Sequence, residues 1–159
     1  MAAESGYYYM WASESLLEFN KLIDIKDWGW KATVLDIVKS YNERMDGSFI
    51  VNKDSCIRWF YRDVDTDFGV KASNELVAHL HAILKHLPLD IIHGKSYIEV
   101  KPKGLGKGTF AKQLLNHVWQ KKGAIDFILC VGDSDTDEEM YAKIKDFPKS
   151  CSLEVKLGM

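Results

Sequence analysis

The sequence predicts an α/β protein in two parts: an antiparallel layer made of two αββ units, and a parallel, Rossmann-like layer carrying an acidic loop. Three observations carry this prediction. Apolar residues recur at helical spacing in two segments, each followed by a pair of short apolar-rich runs. A later run, Ile125–Val131, is apolar throughout apart from Asp126, the pattern of a parallel strand buried on both faces. That run ends directly in Gly-Asp-Ser-Asp-Thr-Asp-Glu-Glu-Met at 132–140, at the carboxyl end of a strand, where ligands of such layers sit.

The elements are expected in this order. The aromatic segment Gly6–Trp11 reads as a short strand, and residues 12–26 as loop with at most one turn of helix. Asp27 is a candidate N-cap for a helix in which Trp30, Val34, Ile37, Val38 and Tyr41 share a face, with Gly47 as the stop. Ser48–Val51 and Cys56–Tyr61 read as strands around the turn Asn52–Ser55. The loop Asp63–Gly69 precedes a second helix, Val70–Leu87, striped by Leu76, Val77, Leu80, Ile83, Leu84 and Leu87 and ended by Pro88. Leu89–Ile92 and Tyr97–Val100 complete the second αββ unit. Two such units make a four-stranded antiparallel sheet with both helices on one face and the other face open. A helix over Thr109–Lys121, the strand Ile125–Val131, a helix through Ile144 and a last strand Cys151–Val155 form the second layer.

The net charge of −2, from 21 basic and 23 acidic residues, argues against bulk binding to nucleic acid or an anionic membrane surface. No apolar run reaches the length of a membrane span, and the first ten residues lack the pattern of a signal peptide. Three widely spaced cysteines, Cys56, Cys130 and Cys151, suggest neither a disulfide framework nor a zinc site, so a reducing cytoplasm is expected.

Asp133, Asp135 and Asp137 crowd one loop, and their repulsion would be relieved by a hard divalent cation. Magnesium would also bridge to a phosphate and neutralise the charge that shifts in phosphoryl transfer. The bland alternative is a solvated helix cap with surplus acids, since Asp and Thr cap helices well. An EF-hand is excluded: counting from Asp133, its sixth and twelfth positions hold Glu138 and Ile144 instead of Gly and a carboxylate. Gly104–Thr109 resembles a phosphate loop, but Gly108 follows Lys107 and Lys101 replaces the first Gly, so it is not a Walker A loop. What remains is a lysine at a helix start, able to hold a phosphoryl oxygen as a point charge, or else an ordinary surface lysine.

A loop lysine, one helix, an apolar strand and then GDxxxD is the order of the third and fourth motifs of haloacid dehalogenase-like phosphatases. More closely, the chain resembles the phosphatase domain of trehalose-6-phosphate phosphatases, which also occurs in trehalose-phosphate synthases. The matching segments are AAESGYY at 2–8, ERMDGSF at 43–49, KDSCIRWFYRDVDTDFG at 53–69, IEVKPKGLGKG at 98–108 and FILCVGDSDTDEEMY at 127–141. The resemblance implies a haloacid dehalogenase-like core with an α/β cap: residues 1–11 a core strand segment, 12–96 the cap, 97–159 a partial core. It implies hydrolysis of trehalose 6-phosphate to trehalose and phosphate, in trehalose biosynthesis, with Mg2+ as cofactor. Asp133 would bind the metal directly with Asp137 in support, Lys107 would steady the phosphoryl group, and Lys53, Arg62 and Glu99 would contact the sugar phosphate. The family usually places Asp and then Arg after the first Asp of its fourth motif, where this chain has Ser134 and Asp135.

The family's first motif, DxDGT with its nucleophilic Asp, and its second, a Ser or Thr, are not found before Ala2. Asp63-Val64-Asp65-Thr66 imitates the first motif but lacks its Gly and sits where the family has a cap loop. The expectation is therefore a fragment of a phosphatase domain, inactive alone, whose partner is the missing half of the core or the synthase domain of a larger protein. The alternative is a non-catalytic regulatory or sugar-phosphate-sensing lobe of a synthase-like protein. A half core would leave the strand at 125–131 with an unpaired edge, which opens a route to dimerisation or strand exchange.

Overall fold

The computed structural model describes residues 1–11, 18–147 and 152–157. In chain order the elements are β1 (Ala2–Ala3), β2 (Tyr8–Tyr9), β3 (Asn20–Lys21), α1 (Trp30–Asn42), β4 (Phe49–Asn52), β5 (Ile57–Phe60), α2 (Thr66–Leu84), β6 (Leu89–Gly94), β7 (Tyr97–Pro102), α3 (Lys107–Lys122), β8 (Phe127–Gly132), α4 (Asp135–Lys145) and β9 (Ser152–Leu157). They fall into two compact units: Asp24–Gly104, and Met1–Ile23 together with Leu105–Met159.

The unit Asp24–Gly104 has the expected αββαββ order. Its antiparallel sheet runs β4-β5-β7-β6, so the two hairpins join through β5 and β7. Alternation along the strands sorts the residues between the faces. Ile57, Trp59, Ile98 and Val100 join Trp30, Val34 and Val38 of α1 and Leu76, Leu80 and Leu84 of α2 in one buried core. The opposite face carries Phe49, Phe60 and Tyr97 in one cross-strand row and Val51, Arg58, Glu99 and Ile92 in the next. No helix of this unit covers it.

Local chemistry moves two of the expected boundaries. α1 begins at Trp30, with Gly29 as N-cap; Asp27 stands two residues ahead and accepts from the Gly29 N–H at 2.7 Å. α2 begins at Thr66, inside the stretch expected as loop, because Asp65 caps it by accepting from the Phe68 N–H at 3.1 Å. Gly69 lies within that first turn of the helix, where a Cβ would come 3.0 Å from the Tyr61 ring. Gly47 does stand in the turn before β4, with φ +90, and a Cβ there would meet the Asp63 carbonyl at 2.5 Å. The strand Tyr97–Pro102 pairs with both β5 and β6, so by compactness the division falls after Gly104 and not at residue 96.

In the other unit, β8 and β9 pair in parallel, Phe127 opposite Ser152, across α4. Ala111 and Leu115 of α3, Tyr141 and Ile144 of α4, and Ile125 and Cys130 form its core. Only one face of β8 meets that core. Phe127, Leu129 and Val131 are 57, 60 and 63% exposed, against the expectation of a strand buried on both faces. The apolar run satisfies a two-sided burial that α3 and α4, both on one side, do not provide. The N-terminal segment forms a three-stranded ribbon, β1-β2-β3, whose last strand lies in the stretch read as loop; residues 12–17 of that stretch lie outside those described. It packs along α3: Gly6, at φ +92, leaves no room for a Cβ against Phe110, Tyr9 accepts from Gln113, and Trp11 stacks on His117 at 3.9 Å.

Trp59 is fully buried, so Trp59→Ala is expected to cost about 3–5 kcal/mol in urea unfolding. Leu129→Ala is expected to cost less than about 1 kcal/mol. A core-sized loss at Leu129 would mean that the bare face of β8 is covered in solution.

Candidate active site

The acidic loop is held by its helix. Ser134 is the N-cap of α4 and Asp137 occupies the third position of the first turn. The Asp137 carboxylate reaches back to the cap. Its Oδ2 accepts from the Ser134 N–H at 3.1 Å and from the Ser134 hydroxyl at 2.6 Å. This is a capping box in which Asp does the work usually given to Glu. The carboxylate can tuck in because residue 132 is glycine: a Cβ there would lie 2.4 Å from the Asp137 Cγ. Tyr141, one turn further on, donates its hydroxyl to the Gly132 carbonyl at 3.0 Å.

Lys107 supplies the counter-charge. It is the first residue of α3, and its Nζ donates to Asp137 Oδ1 at 2.6 Å. The first turns of α3 and α4 approach closely, since a Cβ on Gly108 would sit 2.9 Å from the Glu139 carbonyl. The Asp137 side chain is almost fully buried, whereas that of Lys107 is 38% exposed. Burial pushes the Asp137 pKa up, but the bonds from Lys107 and Ser134 outweigh it and hold the carboxyl at about 2. A lysine so placed keeps part of its ammonium available to an anion while Asp137 fixes its position.

Asp133, by contrast, is exposed, and no ion pair engages it among the described residues. Among those residues no group of three His, Cys, Asp or Glu side chains is arranged to hold a metal ion. A hard cation such as Mg2+ takes about six oxygen ligands. The donor set fits it only in part: Asp133 is free to ligate directly, while both oxygens of Asp137 are already taken. The three bonds already made to Asp137 leave it little capacity to act as a ligand.

The three candidate sugar-contacting residues lie in the other unit. Lys53 is in the β4–β5 turn, half-buried, and its carbonyl accepts from the Lys31 ammonium. Arg62 is 64% exposed, loosely paired with Asp63 at 3.4 Å and set over the Phe49 ring. Glu99 is buried on β7 and accepts from Arg58 Nε at 2.9 Å. Asp63 and Asp65, which imitate a nucleophile motif, are occupied by an ion pair and a helix cap. Sequence reasoning missed Arg58, whose signal was a lone guanidinium inside the apolar run Cys56–Tyr61. It also read Ser134 as a departure, without its role as the cap that fixes Asp137.

A helix-start lysine bonded to an acid in the loop after a parallel strand places this unit in the haloacid dehalogenase-like class of α/β folds. The chain belongs to the trehalose-phosphatase family, whose model matches residues 1–158. It is 35% identical over 144 residues to a probable alpha,alpha-trehalose-phosphate synthase of Arabidopsis thaliana, covering 91% of this chain and 17% of that protein. It is 44% identical over 119 residues to alpha,alpha-trehalose-phosphate synthase B of Dictyostelium discoideum, covering 75% of this chain and 14% of that protein. The C-terminal domain of Candida albicans trehalose-6-phosphate phosphatase superposes with a TM-score of 0.73 at 32% identity, over 81% of this chain and 47% of that domain. The chain thus spans about a sixth of those synthases and about half of the solved phosphatase domain.

The depressed Asp137 pKa fixes a sign. A carboxyl held below its unfolded value adds stability above the unfolded pKa, and loses it as pH falls through the folded one. Asp137 should therefore contribute about 2 kcal/mol at neutral pH, lost between about pH 4 and pH 2. Lys107→Met should move the Asp137 carboxyl resonance midpoint upward in an NMR pH titration. An unchanged midpoint would show that the lysine does not hold it.

Proposed function

We propose that this chain is the part of a trehalose-6-phosphate phosphatase domain that steadies the phosphoryl group and carries the sugar-reading cap. The observation that carries the reading is the Lys107–Asp137–Ser134 arrangement at the carboxyl end of β8. In this proposal Lys107 holds a phosphoryl oxygen, Asp133 binds Mg2+ directly, and Asp137 acts as a positioning residue for the lysine and the loop. Bound Mg2+ would neutralise charge on the transferring phosphoryl group. Lys53, Arg62 and Glu99 are assigned to the sugar phosphate, with residues of the Asp24–Gly104 unit as cap and those around α3, β8 and α4 as core. The attacking carboxylate is assigned to the remainder of the full-length protein, whose further elements we place against the bare face of β8.

Buried free thiols at Cys56 and Cys130 support a reducing, cytoplasmic setting. No helix among the described residues is long and apolar enough to cross a membrane. A sensing role in a synthase-like protein is the second reading. It is favoured by Ser134 and Asp135, which stand where the family usually has Asp and then Arg.

The isolated chain is expected to release no phosphate from trehalose 6-phosphate, with or without Mg2+. Mg2+-dependent release above blank would overturn the division of roles. In calorimetry, binding of trehalose 6-phosphate strengthened by Mg2+ and weakened roughly tenfold or more by Lys107→Met would support the phosphatase reading. Binding indifferent to both would favour the sensor.

A further inference from the structure

The helix-free face of the β4-β5-β7-β6 sheet carries a guanidinium that has only part of its hydrogen-bonding capacity in use. Arg58 donates through Nε to Glu99 Oε1 at 2.9 Å, directly across from it on β7. Its CZ lies 5.7 Å from the centre of the Tyr97 ring. No hydrogen bond engages its two terminal nitrogens among the described residues, yet the side chain is only 26% exposed. That exposure leaves the fork open to a ligand that can accept from both of its arms. Beside it, Phe49, Phe60 and Tyr97 form a continuous row of rings across three strands, with centroids 4.9 and 5.8 Å apart. The row ends at Gly94, where a Cβ would lie 2.2 Å from the Tyr97 ring, so only glycine lets that ring lie flat over β6.

We infer that Arg58 and Glu99 act as one unit that reads vicinal hydroxyls of a hexopyranose, with the Phe60 and Tyr97 rings as the platform for its C–H face. This rests on the sugar-reading role proposed for the cap and adds Arg58, Phe60 and Tyr97 to it. A sugar hydroxyl both donates and accepts. Glu99 accepts from one hydroxyl of the pair through its Oε2, while the terminal nitrogens of Arg58 donate to the oxygens of both. The carboxylate alone could not distinguish a diol from any other donor; the pair can, because the fork fixes the spacing of two acceptors. The Nε bond also keeps Glu99 oriented, so Arg58 is both a contact and a positioning residue. Exposed Arg62, at the far end of the ring row beside Phe49, stays available for the charged group of the same ligand.

The full chain with 15N-labelled arginine is titrated with unphosphorylated trehalose. The Arg58 Nε–Hε resonance is expected to shift with the same midpoint as the Tyr97 ring protons. Arg58→Lys, which keeps the charge but loses the fork, is expected to bind at least tenfold more weakly, roughly the loss of one charge-assisted hydrogen bond. An Arg58 resonance that stays still while Tyr97 shifts, or an Arg58→Lys chain that binds within twofold, would overturn the inference and leave the cap's sugar-reading role standing. If no resonance of this face moves in the unsubstituted chain, both fall together. The resonance measurement needs no variant, so it decides the matter even if Arg58→Lys fails to fold.

Discussion

The Asp137 carboxylate is the joint on which the acidic unit turns. Its two oxygens take three hydrogen bonds from two elements: the Lys107 ammonium on one side, the backbone and hydroxyl of Ser134 on the other. Removing any one would leave a buried charge under-solvated. The same carboxylate closes the N-terminus of α4 and draws the first turn of α3 alongside. Gly132 and Gly108 permit this closeness, one beneath the carboxylate and one between the helices. Cap, ion pair and glycine spacing are thus one arrangement, and the loop's chemistry follows from it.

The sheet of the other unit depends on a different rule, the two-residue period of its strands. One parity sends Ile57, Trp59, Ile98 and Val100 into the helices; the other sends Arg58, Phe60, Tyr97 and Glu99 to the face without them. A buried ion pair can exist on that second face because each partner lies directly opposite the other on adjacent strands. The thiol of Cys56, in the same neighbourhood, is raised to about 11, first by burial and then by the Glu99 charge. It is therefore a neutral thiol at physiological pH.

Much of this architecture was legible from periodicity. The αββαββ order, the single helical face and the open one follow from the spacing of apolar residues. The motif order paired Lys107 with the acidic loop; that its contact there is Asp137 is a finding of the structure. Three features escaped for physical reasons. The start of α2 was obscured by Gly69, which looks like a loop residue and is there for close packing on Tyr61. The one-sided burial of β8 could not be seen, because an apolar run records what a strand is suited to and not what covers it. Arg58 escaped because a guanidinium in a strand is informative only once its cross-strand neighbour is known.

The division of the chain bears on how it folds. One unit is continuous in sequence, while the other is assembled from two stretches separated by the whole of the first. Bringing Tyr9 and Trp11 onto α3 means closing a long loop, and the entropy of such closure grows only logarithmically with length. If the intervening unit folds first on its hairpins and short helix connections, it replaces a floppy loop with a compact bridge and lowers that cost. The N-terminal ribbon would then be the last piece to lock and the first to fray. In amide exchange the protons of Tyr8 to Met10 would be lost well before those of Trp59 and Val100.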